Sequence, residues 1–283
     1  MLLNPLTVHT PQSIEEALSL YSSLENVRLQ AGGTFLVNSL KLLKRKGVKT
    51  PDNVICLNKI NDLRGIIAEP DQMTIRSMTT IDELFTSSDL KDNFAILKTV
   101  CRNISTQPIR NMATVGGNLT CRYTWTEMPA VMVALDAQMH FRTTDGKEEI
   151  VPAENFYLQE AKTKHLFTHL TIKRNKSLKL AYARVRKTSS VDIPLLSLLI
   201  STDAGKGSFS NTRIGINNCV QFAQRDKKLE DFLNGKKISA DIAEEAVNNI
   251  DEKIYDTRSG DYKKHMFRVS IKNALKDLAG QSS

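Results

Sequence analysis

Apolar and polar positions along the chain repeat with two periods. Ile14, Ala17, Leu18 and Tyr21 recur at helical spacing, and Ser13 followed by Glu16 is a capping-box start. VRLQA at 27–31 reads as a short strand that runs straight into Gly32-Gly33-Thr34. An amphipathic helix follows over about 36–46, closed by Gly47, and VICLN at 54–58 is a second strand. The first sixty residues are therefore a small α/β lobe with a glycine turn between strand and helix.

The pattern then changes. MTIRSM (73–78) reads as a strand, Thr80 with Glu83 repeats the capping-box signature, and FAILKTVCRNI (94–104) returns to helical spacing. Ile109 to Leu119 carries a second glycine pair, Gly116-Gly117, and MPAVMVALDA (128–137) reads as a buried helix. QMHFRTT and KEEIVP flank Asp145-Gly146, a strong hairpin signal, and LFTHLTIK (166–173) is a further strand. These pieces make a larger α+β lobe over 61–175. The polar run KRNKS (173–177) is the expected boundary. Beyond it LAYARVRK and NTRIGINN read as strands, and ISADIAEEAVNNI and YKKHMFRVSIKNALKDLA as helices. The expected fold is α+β: a two-lobed domain over 1–175 and a C-terminal α/β domain over 176–283.

Composition adds exclusions. With 41% hydrophobic and 25% charged residues, the 283-residue chain has ordinary globular make-up. No apolar run approaches the ~20 residues of a membrane-spanning helix. The opening MLLNPLTVHTPQ shows no basic segment followed by an apolar one, so a cytoplasmic protein with no membrane partner is expected. The net charge of +8 suits nucleic acid or an acidic partner. The densest basic run, Lys41–Lys49, lies at a helix C-terminus, where the dipole favours cations, and no aromatic residues interleave with it as a base-stacking surface requires. No nucleic-acid partner is therefore expected. Cys56, Cys101, Cys121 and Cys219 are widely spaced, which disfavours zinc and iron–sulfur sites and suggests reduced structural thiols. His165 and His169 are four apart but lie in a strand, so no metal site is expected there.

The two glycine pairs carry the candidate chemistry. AGGT matches neither GxGxxG nor a P-loop. Adjacent glycines nevertheless permit φ > 0 and close approach, aiming consecutive N–H groups into one concavity, and a helix N-terminus behind them favours an anion. Two such loops suit the two phosphates of a dinucleotide. The plainer alternative for each is a tight turn.

The order of the pieces goes further. Strand, Ala31-Gly32-Gly33-Thr34, helix, then Ile109-Arg110-Asn111-Met112-Ala113-Thr114-Val115-Gly116-Gly117-Asn118-Leu119 resembles the FAD-binding (medium) subunit of the molybdenum hydroxylases, the flavoprotein subunit of xanthine dehydrogenase and carbon monoxide dehydrogenase. TEMPAVMVALDAQM and Asp256-Thr257-Arg258-Ser259-Gly260-Asp261-Tyr262 extend the resemblance over nearly the whole chain. It implies an oxidoreductase subunit that binds FAD. The first loop, Arg28, Leu29, Gln30, Ala31, Gly32, Gly33, Thr34, Phe35 and Leu36, would wrap the pyrophosphate. The second, Thr114, Val115, Gly116, Gly117 and Asn118, would meet the phosphates and ribityl chain. Ile104 falls at an apolar cofactor contact, Glu127 replaces a family Asp at the cofactor, and either Phe167 or Thr168 stands where the family has an apolar residue near the flavin ring.

By the same resemblance, hydroxylation takes place at a molybdenum cofactor on a large partner subunit. Electrons cross iron–sulfur clusters on a small one, and FAD here passes them to NAD or another acceptor. No catalytic residue is required of this chain. Phe35 after the loop Thr, Ser77 in place of a usual Gly, and the bulky Arg122, Tyr123 and Trp125 depart from the pattern. They motivate the alternative, a flavin-deficient assembly subunit of such a complex.

Overall fold

The computed structural model describes residues 3–159, 164–189, 191–204, 207–218, 222–255 and 260–281. Cys219 and the Asp256–Ser259 part of the sequence motif lie outside them. The first lobe comprises β1 (Thr7–His9), α1 (Ile14–Ser23), β2 (Val27–Gln30), α2 (Leu36–Arg45) and β3 (Asn53–Cys56). Its strands form a parallel sheet in the order β1-β3-β2. Ser13 Oγ accepts from the Glu16 amide to start α1.

The second lobe runs through β4 (Ile66–Ala68), β5 (Gln72–Arg76), α3 (Ile81–Thr86), α4 (Ile96–Asn103), α5 (Gln107–Arg110), α6 (Val115–Thr120) and α7 (Met128–Ala134). It continues with β6 (Gln138–Thr143), β7 (Glu148–Pro152), α8 (Ala153–Leu158) and β8 (His165–Lys173). Its antiparallel sheet has the order β4-β5-β8-β6-β7. One face, with Met73, Ile75, Met139 and Leu170, packs with apolar residues of α3, α4 and α7 into the main core. The other face meets the first lobe through Leu166, which clusters with Ile55 and Leu57.

The rest comprises β9 (Leu178–Val185), β10 (Leu196–Asp203), β11 (Ser210–Asn217), β12 (Gln224–Arg225), α9 (Lys227–Leu233), α10 (Ile242–Ala246), α11 (Glu252–Tyr255) and α12 (Gly260–Gly280). The antiparallel sheet β12-β11-β10-β9 buries one face against α9, α10 and α12. Its other face grips the end of α7, where Ser201 Oγ donates to the Ala134 carbonyl at 2.7 Å and Arg213 Nε to that of Val133 at 3.1 Å. The carbonyls at the end of a wholly buried helix thereby gain side-chain donors. The fold is α+β, and α7 is shared between the second lobe and the C-terminal sheet.

The structure departs from sequence expectation at three elements. LSLLISTD forms β10, the strand between β9 and β11, although its continuous apolar run gives no period to read. The segment 238–250 is helical only over Ile242–Ala246, because Asn249 bonds back to the Glu245 and Ala246 carbonyls. The second glycine pair is the first turn of α6, with neither glycine at positive φ.

Cys56, Cys101 and Cys121 are free thiols. Burial pushes the Cys101 thiol up to about 12, outweighing the opposing pull of Arg110. Cys101 should therefore resist alkylation at pH 8 in the native protein and react after unfolding. Mass mapping of the modified thiols checks this, and rapid native labelling of Cys101 would contradict it.

Among the described residues, no helix is long and apolar enough to cross a membrane.

Candidate functional site

The two glycine pairs come together in space. Ala31 follows directly on β2, and Gly33 takes a φ of +69°, turning the chain into α2. At Gly32 the turn runs against the second one so closely that a Cβ would lie 1.8 Å from the Met112 carbonyl oxygen. Helix α2 has no side-chain cap, since Phe35 stands at its N-cap. Among the described residues no hydrogen bond engages the amides of Gly32, Gly33, Thr34 or Phe35. Four half-buried or exposed N–H groups at a helix N-terminus, with no acidic residue in its first turn, form an anion cradle.

The second loop is built differently. Val115 donates to the Thr79 carbonyl at 2.9 Å, Gly116 to that of Ser77 at 2.7 Å, and Asn118 to that of Thr114 at 2.9 Å. Gly117 donates to Thr114 Oγ1 at 3.0 Å. These four amides are used within the chain, so of the two glycine loops only the first presents open amides. Gly116 is needed because a Cβ there would lie 2.7 Å from the Ser77 carbonyl oxygen. What this loop leaves unpaired is the side-chain oxygen of Asn118, buried with no hydrogen-bond partner. Arg110 fixes the approach to the loop by pairing with Asp82 at 3.3 Å and donating to the Ile104 and Ser105 carbonyls. Ile104 itself is half-buried against the main core.

Glu127 is 4% exposed. Its Oε2 accepts from Tyr182 at 2.5 Å and its Oε1 from Arg184 Nε at 3.0 Å, while Arg184 also pairs with Asp192 at 2.8 Å. Burial raises the Glu127 carboxyl above its ordinary range, although Tyr182 and Arg184 pull it down. The sequence reading missed Tyr182 and Arg184. Their i, i+2 spacing in LAYARVRK puts both on one face of β9, but nothing local says that this face meets Glu127.

The bulky residues after the second loop separate into two groups. Arg122, at φ +51°, turns away from the loop, donating to the Phe156, Tyr157 and Gln159 carbonyls and stacking over Phe156 and Phe222. Tyr123 and Trp125 stack at 5.1 Å, and Phe35 packs on both at 4.4 and 5.3 Å. This aromatic cluster ties the N-cap of α2 to the segment after α6. Phe167 points into the core against Phe141, whereas the Thr168 hydroxyl donates to the His140 carbonyl. Thr168 is the nearer of the two to the second loop, since its carbonyl accepts from Ser77, whose own carbonyl accepts from Gly116.

A two-lobed α+β chain with open amides at one glycine turn and a buried unpaired acceptor at the other has the features that suit a nucleotide ligand. Residues 4–173 match the family model described as the FAD binding domain in molybdopterin dehydrogenase. The chain is 26% identical over 285 residues to the carbon monoxide dehydrogenase medium chain of Hydrogenophaga pseudoflava, covering 94% of each. It is 22% identical over 275 residues to the glyceraldehyde dehydrogenase medium chain of Sulfolobus acidocaldarius, covering 95% of this chain and 96% of that one. A solved carbon monoxide dehydrogenase from H. pseudoflava, in a form lacking the Mo-pyranopterin moiety of its molybdenum cofactor, superimposes with a TM-score of 0.90 at 24% identity, over 100% of this chain and 99% of that one. The chain belongs to the FAD-binding subunits of the molybdenum hydroxylase family, and it is an oxidoreductase subunit whose cofactor is FAD.

Proposed function

We propose that this chain is the electron-transfer subunit of a molybdenum-containing hydroxylase or dehydrogenase. It takes electrons from iron–sulfur clusters on a small partner subunit and delivers them to NAD or another acceptor, while substrate is hydroxylated on a large partner subunit. The observation that carries the reading is the set of unengaged amides from Gly32 to Phe35 at the start of α2, which suits a pyrophosphate. The residues present fit FAD. The amides of the first loop would hold its phosphates, and the buried Asn118 oxygen is an acceptor for a sugar or ribityl hydroxyl. Arg28 to Leu36, Ile104, Thr114 to Asn118, Glu127 and Thr168 would form the surrounding wall, with Phe167 behind it in the core. When bound, FAD supplies the exchange between one-electron and two-electron carriers. The chain's own residues position the cofactor and exclude water. Glu127, held by Tyr182 and Arg184, keeps β9 fixed beside α7.

Full-length protein isolated from cells that make it natively tests the partner assignment. The expected result is co-purification with two further polypeptides, one carrying iron and acid-labile sulfide, the other molybdenum, in equal amounts. A chain that always purifies alone would contradict it. NADH bleaching the flavin of the complex identifies NAD as acceptor, and bleaching by an artificial dye couple alone points to another.

A further inference from the structure

We infer that His140, Glu148 and His169 form a binding site for one divalent transition-metal ion of the zinc or copper class, on the outer face of the five-stranded sheet. One donor atom from each of the three side chains lies within 4.8 Å of the others. The sheet creates the grouping. His140 on β6 is paired in register with His169 on β8, and their rings stack at 4.1 Å. Glu148, at the start of β7, brings Oε1 to 3.3 Å from His140 Nδ1. A tetrahedral ion with bonds of about 2.0–2.1 Å holds its donors about 3.3 Å apart. The His140–Glu148 pair already has that spacing. The His169 ring, stacked nearly parallel on His140, has to turn out of the stack to aim its nitrogen at the same ion.

The hydrogen bonds around the rings orient their lone pairs. The single hydroxyl proton of Thr168 goes to the His140 carbonyl at 3.1 Å, so at 3.0 Å its oxygen accepts from His169 Nδ1. That leaves Nε2 of His169 with the free lone pair. On His140, Thr171 Oγ1 lies 3.2 Å from Nε2, so an Nε2 proton donated to it frees Nδ1 on the side of Glu148. Each ring thus has a threonine as the outer partner that metal-bound histidines usually have. Two imidazoles and one carboxylate select this class of ion over calcium or magnesium.

His169 and Glu148 also line a pocket of about 360 Å³ with Thr168, Arg76, Arg142 and Asp62. The fourth coordination position therefore opens to water or to an anionic ligand. Arg76 donates to the Asp62 carbonyl and Arg142 to that of Gly146, and both guanidiniums line the same pocket, so an anionic ligand at the fourth position would offset their charge. Sequence spacing hid the site. Phe141 pairs with Phe167 and His140 with His169, so Thr168 is a bulge, and it gives His165 and His169 opposite sides of the strand. His165 pairs with Glu149 instead.

The test is titration of the full-length protein with Zn²⁺ by calorimetry and with Co²⁺ by visible absorbance, at pH 7. The expected result is one ion per chain, with the intense absorbance of four-coordinate cobalt. His169→Gln and His140→Gln should each weaken binding at least tenfold, Glu148→Gln likewise, and Thr171→Val about tenfold. Glu148 is exposed, so its variant guards against loss of folding. In the unaltered protein, Co²⁺ should shift the ring-proton signals of His140 and His169 and spare those of His9 and His265. No saturable binding, undiminished binding in the histidine variants, or unshifted rings at 140 and 169 would each overturn the assignment.

Discussion

Replacing Gly32 by alanine should abolish FAD retention. The added Cβ would sit 1.8 Å from the Met112 oxygen, 2.7 Å from its carbonyl carbon and 3.1 Å from the Ala113 Cα. All three are backbone atoms, so no flexible side chain can move aside, and the two loops must separate. Overpacking of this kind costs about 1–3 kcal/mol or more of stability, and separation also displaces the amide cradle from the wall that Asn118 completes. FAD affinity should fall at least tenfold, about 1.4 kcal/mol, measured by fluorescence titration of the apoprotein. Gly47→Ala is the control. It has the same φ of +69° as Gly33, but a Cβ there meets nothing within 4 Å. It should lose about 1 kcal/mol from left-handed backbone strain and bind FAD unchanged. Equal FAD affinity in Gly32→Ala and wild type would show that the loops do not act together.

Glu127→Ala should destabilise the protein by about 1–3 kcal/mol, because it leaves the buried Tyr182 hydroxyl without its acceptor and Arg184 paired with Asp192 alone. Against a total of about 5–15 kcal/mol that is a large fraction, readable by urea denaturation. Glu127→Gln, which keeps an acceptor for Tyr182, should cost less. The double variant Glu127→Ala with Arg184→Ala should cost less than the sum of the two, since each single variant already removes the same Glu127–Arg184 pair. Additive losses would mean that the pair does not couple the second lobe to β9.

The sequence showed local devices and concealed what depends on distant partners. The Thr80–Glu83 capping box forms in full, and Asp145-Gly146 turns the β6–β7 hairpin. The all-apolar MPAVMVA is a wholly buried helix. Each is specified by residues a few positions apart. The two glycine pairs were recognisable as a site, yet their difference was not. The first stays open because nothing packs onto its amides, whereas in the second Val115 and Gly116 are taken by Thr79 and Ser77, about forty residues earlier, and Gly117 and Asn118 by the N-cap Thr114. Likewise Glu127 could be singled out by resemblance, but its holders Tyr182 and Arg184 lie 55 and 57 residues away. Arg122, suspected of filling cofactor space, is carried off by a left-handed backbone conformation that a lone arginine does not signal.

Phe35, Tyr123 and Trp125 remain as the cluster spanning the two loops, and they give the flavin-deficient alternative its structural basis. The most direct measurement is the visible spectrum of the purified full-length chain, with extraction and identification of its nucleotide. The expected result is the two bands of oxidised flavin and FAD at one per chain, before or after incubation with excess FAD. A colourless protein that takes up no FAD would contradict the cradle at Gly32 to Phe35 and leave the chain as an assembly subunit with its flavin site closed by aromatic packing.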